Sequence, residues 1–112
     1  LINLPSIYGF IMTTDPQKLA ENAQQVAAIL KQLSNPHRLM ILCCITHGEL
    51  TVGDLNEQID LSQSALSQHL AKLRASNIVS TRRESQTIYY KIANPKIKVL
   101  LEVLQQQFCP DS

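Results

Sequence analysis

Hydrophobic residues follow two different periods along this chain. Spacings of three and four residues recur in five segments and are typical of amphipathic helices, each preceded by a residue able to cap a helix. Those residues are Thr14 or Asp15, Asn35, Thr51, Ser62 and Asn94. Alternation of β-branched and aromatic residues in 78–83 and 87–92, joined by Glu84-Ser85-Gln86, predicts a β-hairpin. The pattern therefore predicts a mainly α fold in the order α-α-α-α-β-β-α.

The first and last predicted helices have broad apolar stripes. The last helix has apolar residues on more of its surface than one small core requires. We therefore expect a homodimer that uses the last helix, with a monomer whose last helix only closes its own core as the alternative. The predicted interface residues are Leu19, Val26, Leu30, Ile97, Leu100, Leu101, Leu104 and Phe108.

Composition sets the size and the class. The 112 residues are 45% hydrophobic and 17% charged, which fits one globular domain with one core. We expect residues 14–109 to form that domain, residues 1–13 to be an extension that is non-native or disordered, and residues 110–112 to be a tail. No segment has the roughly 20 apolar residues of a membrane span, and no secretory signal is recognisable, so the expected location is the cytoplasm.

Residues 51–74 contain the most informative pattern, two helices separated by only about three residues. The second helix is apolar on one side, whereas its other side has Ser, Gln and Ala in place of the usual Glu and Lys pairs. Amides and hydroxyls hydrogen-bond base edges, and short side chains permit close approach to the major groove. The pattern therefore predicts a helix-turn-helix that reads DNA.

The predicted hairpin directly follows the helix-turn-helix and has basic residues near its tip, as a DNA-binding wing does. Residues 62–91 contain five basic residues and one acidic residue, a local charge of +4 within a total of +1. Together these features favour double-stranded DNA as the partner over a helix-turn-helix that docks proteins or a plain three-helix core. The predicted DNA-binding residues are Ser62, Gln63, Ser64, Ser67, Gln68, His69, Lys72, Arg74, Arg82, Arg83 and Gln86.

Three segments carry a resemblance to a known family. NPHRLMIL at 35–42, TVGDL at 51–55 and LSQSALSQHLAKLR at 61–74 resemble the ArsR/SmtB family of winged-helix repressors. The resemblance covers about residues 17–109. It implies a winged helix-turn-helix, a homodimer built mainly by the first and last helices, a palindromic operator, and release from DNA when an inducer binds.

Most members of this family sense metals, but this sequence lacks their ligands. Thr51 and Gly53 occupy the positions of two cysteines in the arsenic and cadmium type, and neither supplies a thiolate. The zinc and nickel type uses Asp, His and Glu on the last helix, where this chain has no His and only Glu102 as an acid. Three scattered histidines do not make a tetrahedral site. We therefore expect no metal and no other cofactor.

Two cysteines resemble the sensing pair of the HlyU/BigR-type branch of the family. They are Cys43, in the frame RLxILC at 38–43, and Cys109, in the frame FCP at 108–110. The resemblance implies that oxidation joins the two sulfurs in a disulfide, or in a bridge of several sulfurs, and weakens DNA binding. Cys44 departs from the branch pattern and points about 100° away from Cys43 around the helix. We expect Cys44 to be a small buried hydrophobe or an accessory thiol.

These features predict a dimeric transcriptional regulator whose operator affinity is switched by oxidation or persulfidation of Cys43 and Cys109, with reactive sulfur species or peroxide as inducer. The alternatives are a regulator of this family that responds to a metal or another ligand, and a DNA-binding protein whose cysteines sense nothing. A thiol enzyme needs an activated thiolate. Cys43 lies mid-helix among Leu and Ile without a neighbouring base, so we expect no enzymatic activity.

Overall fold

The computed structural model describes residues 15–109. Within this range five helices and three strands follow the order α-α-β-α-α-β-β-α, which confirms the predicted mainly α fold with a hairpin and adds one strand. The elements are α1 (Pro16–Leu33), α2 (Pro36–Ile45), β1 (Leu50–Thr51), α3 (Val52–Gln58), α4 (Gln63–Ala75), β2 (Val79–Glu84), β3 (Thr87–Ile92) and α5 (Pro95–Phe108). The predictions for residues 1–13, for Thr14 and for residues 110–112 lie outside the described residues. In the described range, every helix is too short or too polar to cross a membrane.

Each helix begins at a predicted capping residue. The Oγ1 atom of Thr51 accepts the Asp54 N–H at 3.1 Å, while an Asp54 carboxylate oxygen accepts the Thr51 N–H at 3.0 Å. This capping box satisfies two N–H groups and fixes the start of α3. The Asn35 side chain accepts two N–H groups at the start of α2, at 2.9 and 3.1 Å. The other caps are Asp15, Ser62 and Asn94.

The core consists of leucine, isoleucine and valine side chains from all five helices and the start of the hairpin. Burial of each such side chain stabilises the fold by about 1.5–3 kcal/mol. The prediction that Ile97 and Leu101 belong to a dimer interface is corrected here, because both side chains are buried inside the protomer. The buried core residues are Leu33, Ile41, Leu42, Ile45, Leu55, Ile59, Leu66, Leu70, Leu73, Ile78, Val79, Ile97 and Leu101.

A Schellman motif ends α4 and starts the hairpin. Asn77 is in the left-handed region with φ 59°, which asparagine adopts more readily than most residues. The Ile78 N–H donates to the Leu73 carbonyl, and the Asn77 N–H donates to the Arg74 carbonyl, both at 3.0 Å. Because Ile78 and Leu73 are both fully buried, the motif also fixes the direction in which β2 leaves α4.

Strands β2 and β3 form an antiparallel hairpin, called the wing below. Its turn contains two residues, Ser85 and Gln86, and is one residue shorter than predicted because Glu84 pairs with Thr87. Ser85 has a φ of 55°, in the left-handed region that tight hairpin turns require. The predicted hairpin is therefore confirmed with a tighter turn.

The sequence pattern does not reveal β1, which has only two residues. Leu50 pairs with Tyr90 and Thr51 pairs with Tyr89, so the sheet has the order β1-β3-β2. Thr51 is both the last residue of β1 and the cap of α3. The wing is therefore hydrogen-bonded directly to the start of the helix-turn-helix formed by α3 and α4.

Candidate DNA-binding surface and cysteine pair

One side of α4 is buried and the opposite side is exposed. Leu66, Leu70 and Leu73 are fully buried at helical spacing. The exposed side has short or amide-bearing side chains, which allow a base-pair edge to approach the helix closely. Five of the exposed residues, called the reading face below, are Ser64, Ser67, Gln68, Ala71 and Lys72.

Three further predicted DNA-binding residues border the reading face. Gln63 and Arg74 are exposed on one flank of α4, and Ser62 is exposed at its N-terminus. The Ser62 hydroxyl accepts the Ala65 N–H at 3.1 Å, so it serves first as the helix cap. N–H groups and the partial positive charge at a helix N-terminus favour an anionic oxygen.

His69 lies outside the reading face, and its predicted contact with DNA is corrected. Its ring centre is 5.7 Å from that of His37, and its Nδ1 is buried without a hydrogen-bond partner in the described part of the chain. Burial lowers the pKa of His69, and the positive charges of Arg38, His37 and Lys72 lower it further. His69 is outside the reading face because position 69 lies about 100° around α4 from Gln68, on the side of α2.

The two arginines of the wing have different surroundings. Arg82 Nε lies 2.7 and 2.9 Å from the two carboxylate oxygens of Glu49, and Arg82 Nη1 donates to Glu84 at 2.9 Å. The guanidinium carbon also lies 4.2 Å from the ring centre of Tyr89. Arg82 is exposed, and its contact with DNA stays a prediction, although two carboxylates offset its charge in this structure. Arg83 is exposed and has no ion pair with any described residue, so it stays the predicted phosphate contact.

Glu49 is the residue of this surface that sequence reasoning misses. It directly precedes β1 and is far from Arg82 in sequence, so no local pattern marks the pair. Hydrogen bonding by Arg82 lowers the pKa of Glu49, and the carboxylates of Glu49 and Glu84 raise the pKa of Arg82. The count of charges over residues 62–91 therefore overstates the free positive charge of the wing. Gln86 is exposed in the turn, as predicted for a contact at the tip.

The three cysteine side chains lie in three different environments. Cys43 is half-buried and Cys109 is exposed. Cys44 is half-buried, and its Sγ donates to Oε1 of Gln58 at the end of α3, 3.5 Å away. Burial raises the pKa of the Cys44 thiol, and the adjacent Cys43 raises it further. Cys44 is therefore disfavoured as a thiolate.

A polar contact joins the end of α2 to α5 close to the other two cysteines. Gln105 Nε2 donates to the buried Thr46 Oγ1 at 3.5 Å. Cys43 precedes Thr46 by three residues and Cys109 follows Gln105 by four, so each lies one helical turn from the contact. The end of α2 also lines a cavity with Lys98, near the start of α5. These contacts bring the end of α2 against α5, with Cys43 and Cys109 each one helical turn from the contact between Thr46 and Gln105.

Comparison with known proteins identifies the family. Residues 35–81 match the family described as bacterial regulatory protein, arsR family. The chain is 42% identical over 93 residues to the transcriptional activator HlyU of Vibrio cholerae, which covers 83% of this chain and 86% of HlyU. The solved structure of reduced HlyU matches with a TM-score of 0.79 over 83% of this chain and 98% of that one. The chain belongs to the ArsR family.

Two further ArsR-type relatives agree in fold and role. The biofilm growth-associated repressor of Agrobacterium fabrum is 43% identical over 91 residues, 81% of this chain and 78% of the relative. A homodimeric winged helix-turn-helix DNA-binding domain from Mycobacterium bovis matches with a TM-score of 0.70 and 30% identity, over 84% of this chain and 87% of that one. This ArsR-family chain is therefore a DNA-binding transcriptional regulator with a winged helix-turn-helix fold.

This ArsR-family protomer exposes large apolar side chains on its two terminal helices. Leu19, Val26 and Leu30 of α1 are about half exposed, as an interface would require. On α5, Val99 and Val103 are exposed on the side away from the core, and the sequence analysis misses both. Of the other predicted interface residues, Phe108 is exposed, whereas Leu100 and Leu104 are half-buried.

Thr51 and Gly53, at the positions of metal-binding cysteines in the arsenic type, have other roles in this ArsR-family chain. Thr51 caps α3, and Gly53 is exposed in the first turn of that helix. Among residues 15–109, no group of three or more His, Cys, Asp or Glu side chains is arranged to hold a metal ion.

Proposed function

We propose that this regulator is a homodimer that binds a palindromic operator through α4 and the wing, and that a bridge between Cys43 and Cys109 lowers its operator affinity. The inducer is a reactive sulfur species or a peroxide. One observation carries the redox half of the proposal. It is the contact between Thr46 and Gln105, which lies one turn from each cysteine.

The reading face supports recognition in the major groove. α4 has 13 residues. A helix with its side chains is about 10–12 Å across and fits a groove about 12 Å wide. The Gln68 amide is suited to a bidentate contact with adenine, and the Ser64 and Ser67 hydroxyls donate to or accept from base edges. In a dimer with two-fold symmetry, two copies of α4 about 34 Å apart would enter successive major grooves.

The exposed apolar side chains support the homodimer. An isolated protomer leaves Val26 and Leu30 of α1, and Val99 and Val103 of α5, in contact with water. Burial of apolar surface contributes about 25 cal/mol per Å², so an interface that covers both helices is favourable. The related Mycobacterium bovis domain is described as homodimeric.

The arrangement of α2 and α5 supports pairing of Cys43 with Cys109. Each residue lies one helical turn from the contact between Thr46 and Gln105. A direct disulfide needs Cα atoms within about 7 Å, and a bridge of several sulfurs spans a wider gap. Cys44 lies about 100° around α2 from Cys43, next to Gln58, which disfavours it as the partner of Cys109.

With hydrogen peroxide, the bridge forms in two displacements. The Cys109 thiolate attacks one peroxide oxygen, the O–O bond breaks, hydroxide leaves, and Cys109 becomes a sulfenic acid. The Cys43 thiolate then attacks that sulfur, the S–O bond breaks, and a second hydroxide leaves. The two thiol protons neutralise the hydroxides, so two thiols and one peroxide give one disulfide and two waters.

With a low-molecular-weight persulfide, sulfur is transferred first. Each cysteine thiolate attacks the outer sulfur of a persulfide, the S–S bond breaks, and the carrier thiol leaves. One protein persulfide then attacks the inner sulfur of the other, and hydrosulfide leaves. Two thiols and two persulfides therefore give one trisulfide bridge, two carrier thiols and one hydrogen sulfide.

Mass spectrometry of the peroxide-treated and persulfide-treated protein, paired with the operator affinity of each product, tests the proposal. We expect the bridged products to bind the operator more weakly than the reduced protein. Cys43→Ser and Cys109→Ser abolish the response, whereas Cys44→Ser retains it and is the matched control. Full operator affinity of a verified bridged protein, or loss of the response in Cys44→Ser, contradicts the proposal.

A further inference from the structure

A polar groove lies beside α4, between the end of α1, the start of α2 and the end of α4. Its volume is about 570 Å³. It opens next to Lys72, at the edge of the reading face. Its other lining residues lie outside the sequence motif of the helix-turn-helix. The lining residues are Lys31, Gln32, Ser34, Arg38, Lys72, Ala75 and Ser76.

The groove concentrates positive charge without compensating acids. Lys31, Arg38 and Lys72 come from three different helices, and none has an ion pair with any residue of the described range. Arg38 Nε donates to the Gln32 carbonyl at 2.7 Å, which holds the guanidinium in place. Its remaining N–H groups have no partner among residues 15–109. Three cations held this close together favour a bound anion.

Gln32 lines both this groove and a neighbouring cavity. The Oε1 atom of Gln32 is buried and has no hydrogen-bond partner in the described part of the chain. This oxygen accepts hydrogen bonds from a donor such as water, so the cations of the groove, and not this amide oxygen, attract an anion. The pKa of the neighbouring His69 reflects the same positive charges, because Arg38 and Lys72 add to the effect of burial in lowering it.

The position of the groove relative to the reading face identifies the anion. Lys72 follows Gln68 by four residues, so it lies about 40° around α4, and Ser76 continues to the same flank. A helix that fills the major groove has its flanks against the two sugar-phosphate backbones. The groove opens on one of these flanks and therefore faces a phosphate when the reading face contacts bases.

We propose that this groove is a phosphate-binding site for the operator backbone, in which Lys31 and Arg38 extend the DNA contact beyond the helix-turn-helix and the wing. The site rests on the proposed binding of an operator by α4. On α1, Lys31 lies about 100° from Leu30, away from the exposed apolar side. The groove therefore stays open when that apolar side is covered by a second protomer.

Lys31→Gln tests the site without touching the core or the reading face. Each phosphate contact contributes about 0.9 to the slope of log affinity against log salt, so we expect the slope to fall by about 2 per dimer, equally on operator and random DNA. The matched control is Lys18→Gln. Lys18 is exposed on the same helix, about 20 Å away, and its loss leaves the slope unchanged.

Arg38→Gln is the second variant, and it is expected to lower the slope by a similar amount. Because Arg38 also joins α2 to α1, thermal unfolding is measured for each variant, and slopes are compared at temperatures where all variants are folded. Slopes of Lys31→Gln and Arg38→Gln that equal those of the wild type and of Lys18→Gln overturn the proposed site. If the wild type also fails to prefer an operator, the proposed function fails as well, whereas a normal operator preference leaves that function intact.

Competition by inorganic phosphate distinguishes a DNA backbone phosphate from a free phosphate ion as the anion that the groove binds. We expect phosphate to compete with DNA for the wild type more strongly than chloride does at equal ionic strength, and this excess competition to be lost in Lys31→Gln. Protection of the wild type against thermal unfolding by phosphate, with unchanged salt slopes in both groove variants, would show that the groove takes a free anion and would overturn its role in DNA binding.

Discussion

Replacing Glu49 with glutamine removes one of the two carboxylates that hold Arg82 on the wing. In the wild type, the single N–H of Arg82 Nε donates a bifurcated hydrogen bond to both carboxylate oxygens of Glu49, and Glu49 lies 2.6 Å from Arg82 Nη2. Glutamine keeps the size of the side chain but offers no charge. Arg82 then keeps only Glu84, which is two-thirds exposed, as an acidic partner, and the wing gains one unit of net positive charge. We therefore expect Glu49→Gln to bind DNA more tightly than the wild type.

The size of this gain follows from counterion release. One additional phosphate contact steepens the salt slope by about 0.9, so a dimer gains about 1.8. As the salt concentration falls from about 200 mM to about 50 mM, the ratio of the DNA affinity of Glu49→Gln to that of the wild type should grow about 12-fold for a dimer and about 3.5-fold for a single protomer. The gain should be equal on operator and random DNA, because a phosphate contact carries no sequence information.

Fluorescence anisotropy of labelled operator and random duplexes over that salt range measures both slopes. The control is the double variant Glu49→Gln with Arg82→Gln, which removes the pair without changing the net charge. We expect the double variant to have the wild-type slope. If Glu49→Gln does not steepen the slope, or if the double variant is as steep as the single one, release of Arg82 from Glu49 is not the cause and the argument is refuted.

Three other substitutions test separate parts of the structure. Gln68→Ala should cost about 1–3 kcal/mol on the operator and much less on random duplex, measured by the same titrations; equal losses on both would reject a base contact. Folding lowers the pKa of His69. As the pH falls through about 6.5, the unfolded chain therefore binds more protons than the folded chain, and the free energy of unfolding decreases. Urea unfolding at about pH 7.5 and about pH 5.5 measures this decrease in the free energy of unfolding, which should be smaller for His69→Gln than for the wild type. An equal decrease in both proteins would contradict its assignment to His69. Asn35→Ala should lower the free energy of unfolding by about 1 kcal/mol, while Asn35→Ser restores most of it; equal melting temperatures for all three would show that the cap is unimportant.

Local chemistry is the part of this structure that the sequence predicts well. Caps such as Asn35 and the pair Thr51 and Asp54 act within three residues, so their roles are visible in the sequence itself. The exposed side of α4 is equally local, because the spacing of Leu66, Leu70 and Leu73 determines which residues face water.

The missed features all depend on residues distant in sequence. The pairing of β1 with β3 brings Glu49 beside Arg82, and no sequence motif predicts that contact. α5 is a different case, since it is apolar around most of its circumference. Its sequence therefore does not distinguish the buried side, at Ile97, from the side exposed at Val99.

The double role of Thr51 limits how such a regulator is able to change shape. β1 ends and α3 begins at this residue, and Asn77 joins α4 to β2 equally tightly at the other end of the helix-turn-helix. Hydrogen bonds fix both junctions, so we expect the wing to move together with α3 and α4. Under the proposed function, a bridge between Cys43 and Cys109 would therefore act on the placement of one such unit relative to the unit of a second protomer. If the proposed homodimer forms, bridging of the cysteines would change the separation of its two helix-turn-helix units, and with it the number of base pairs between the half-sites that the dimer binds.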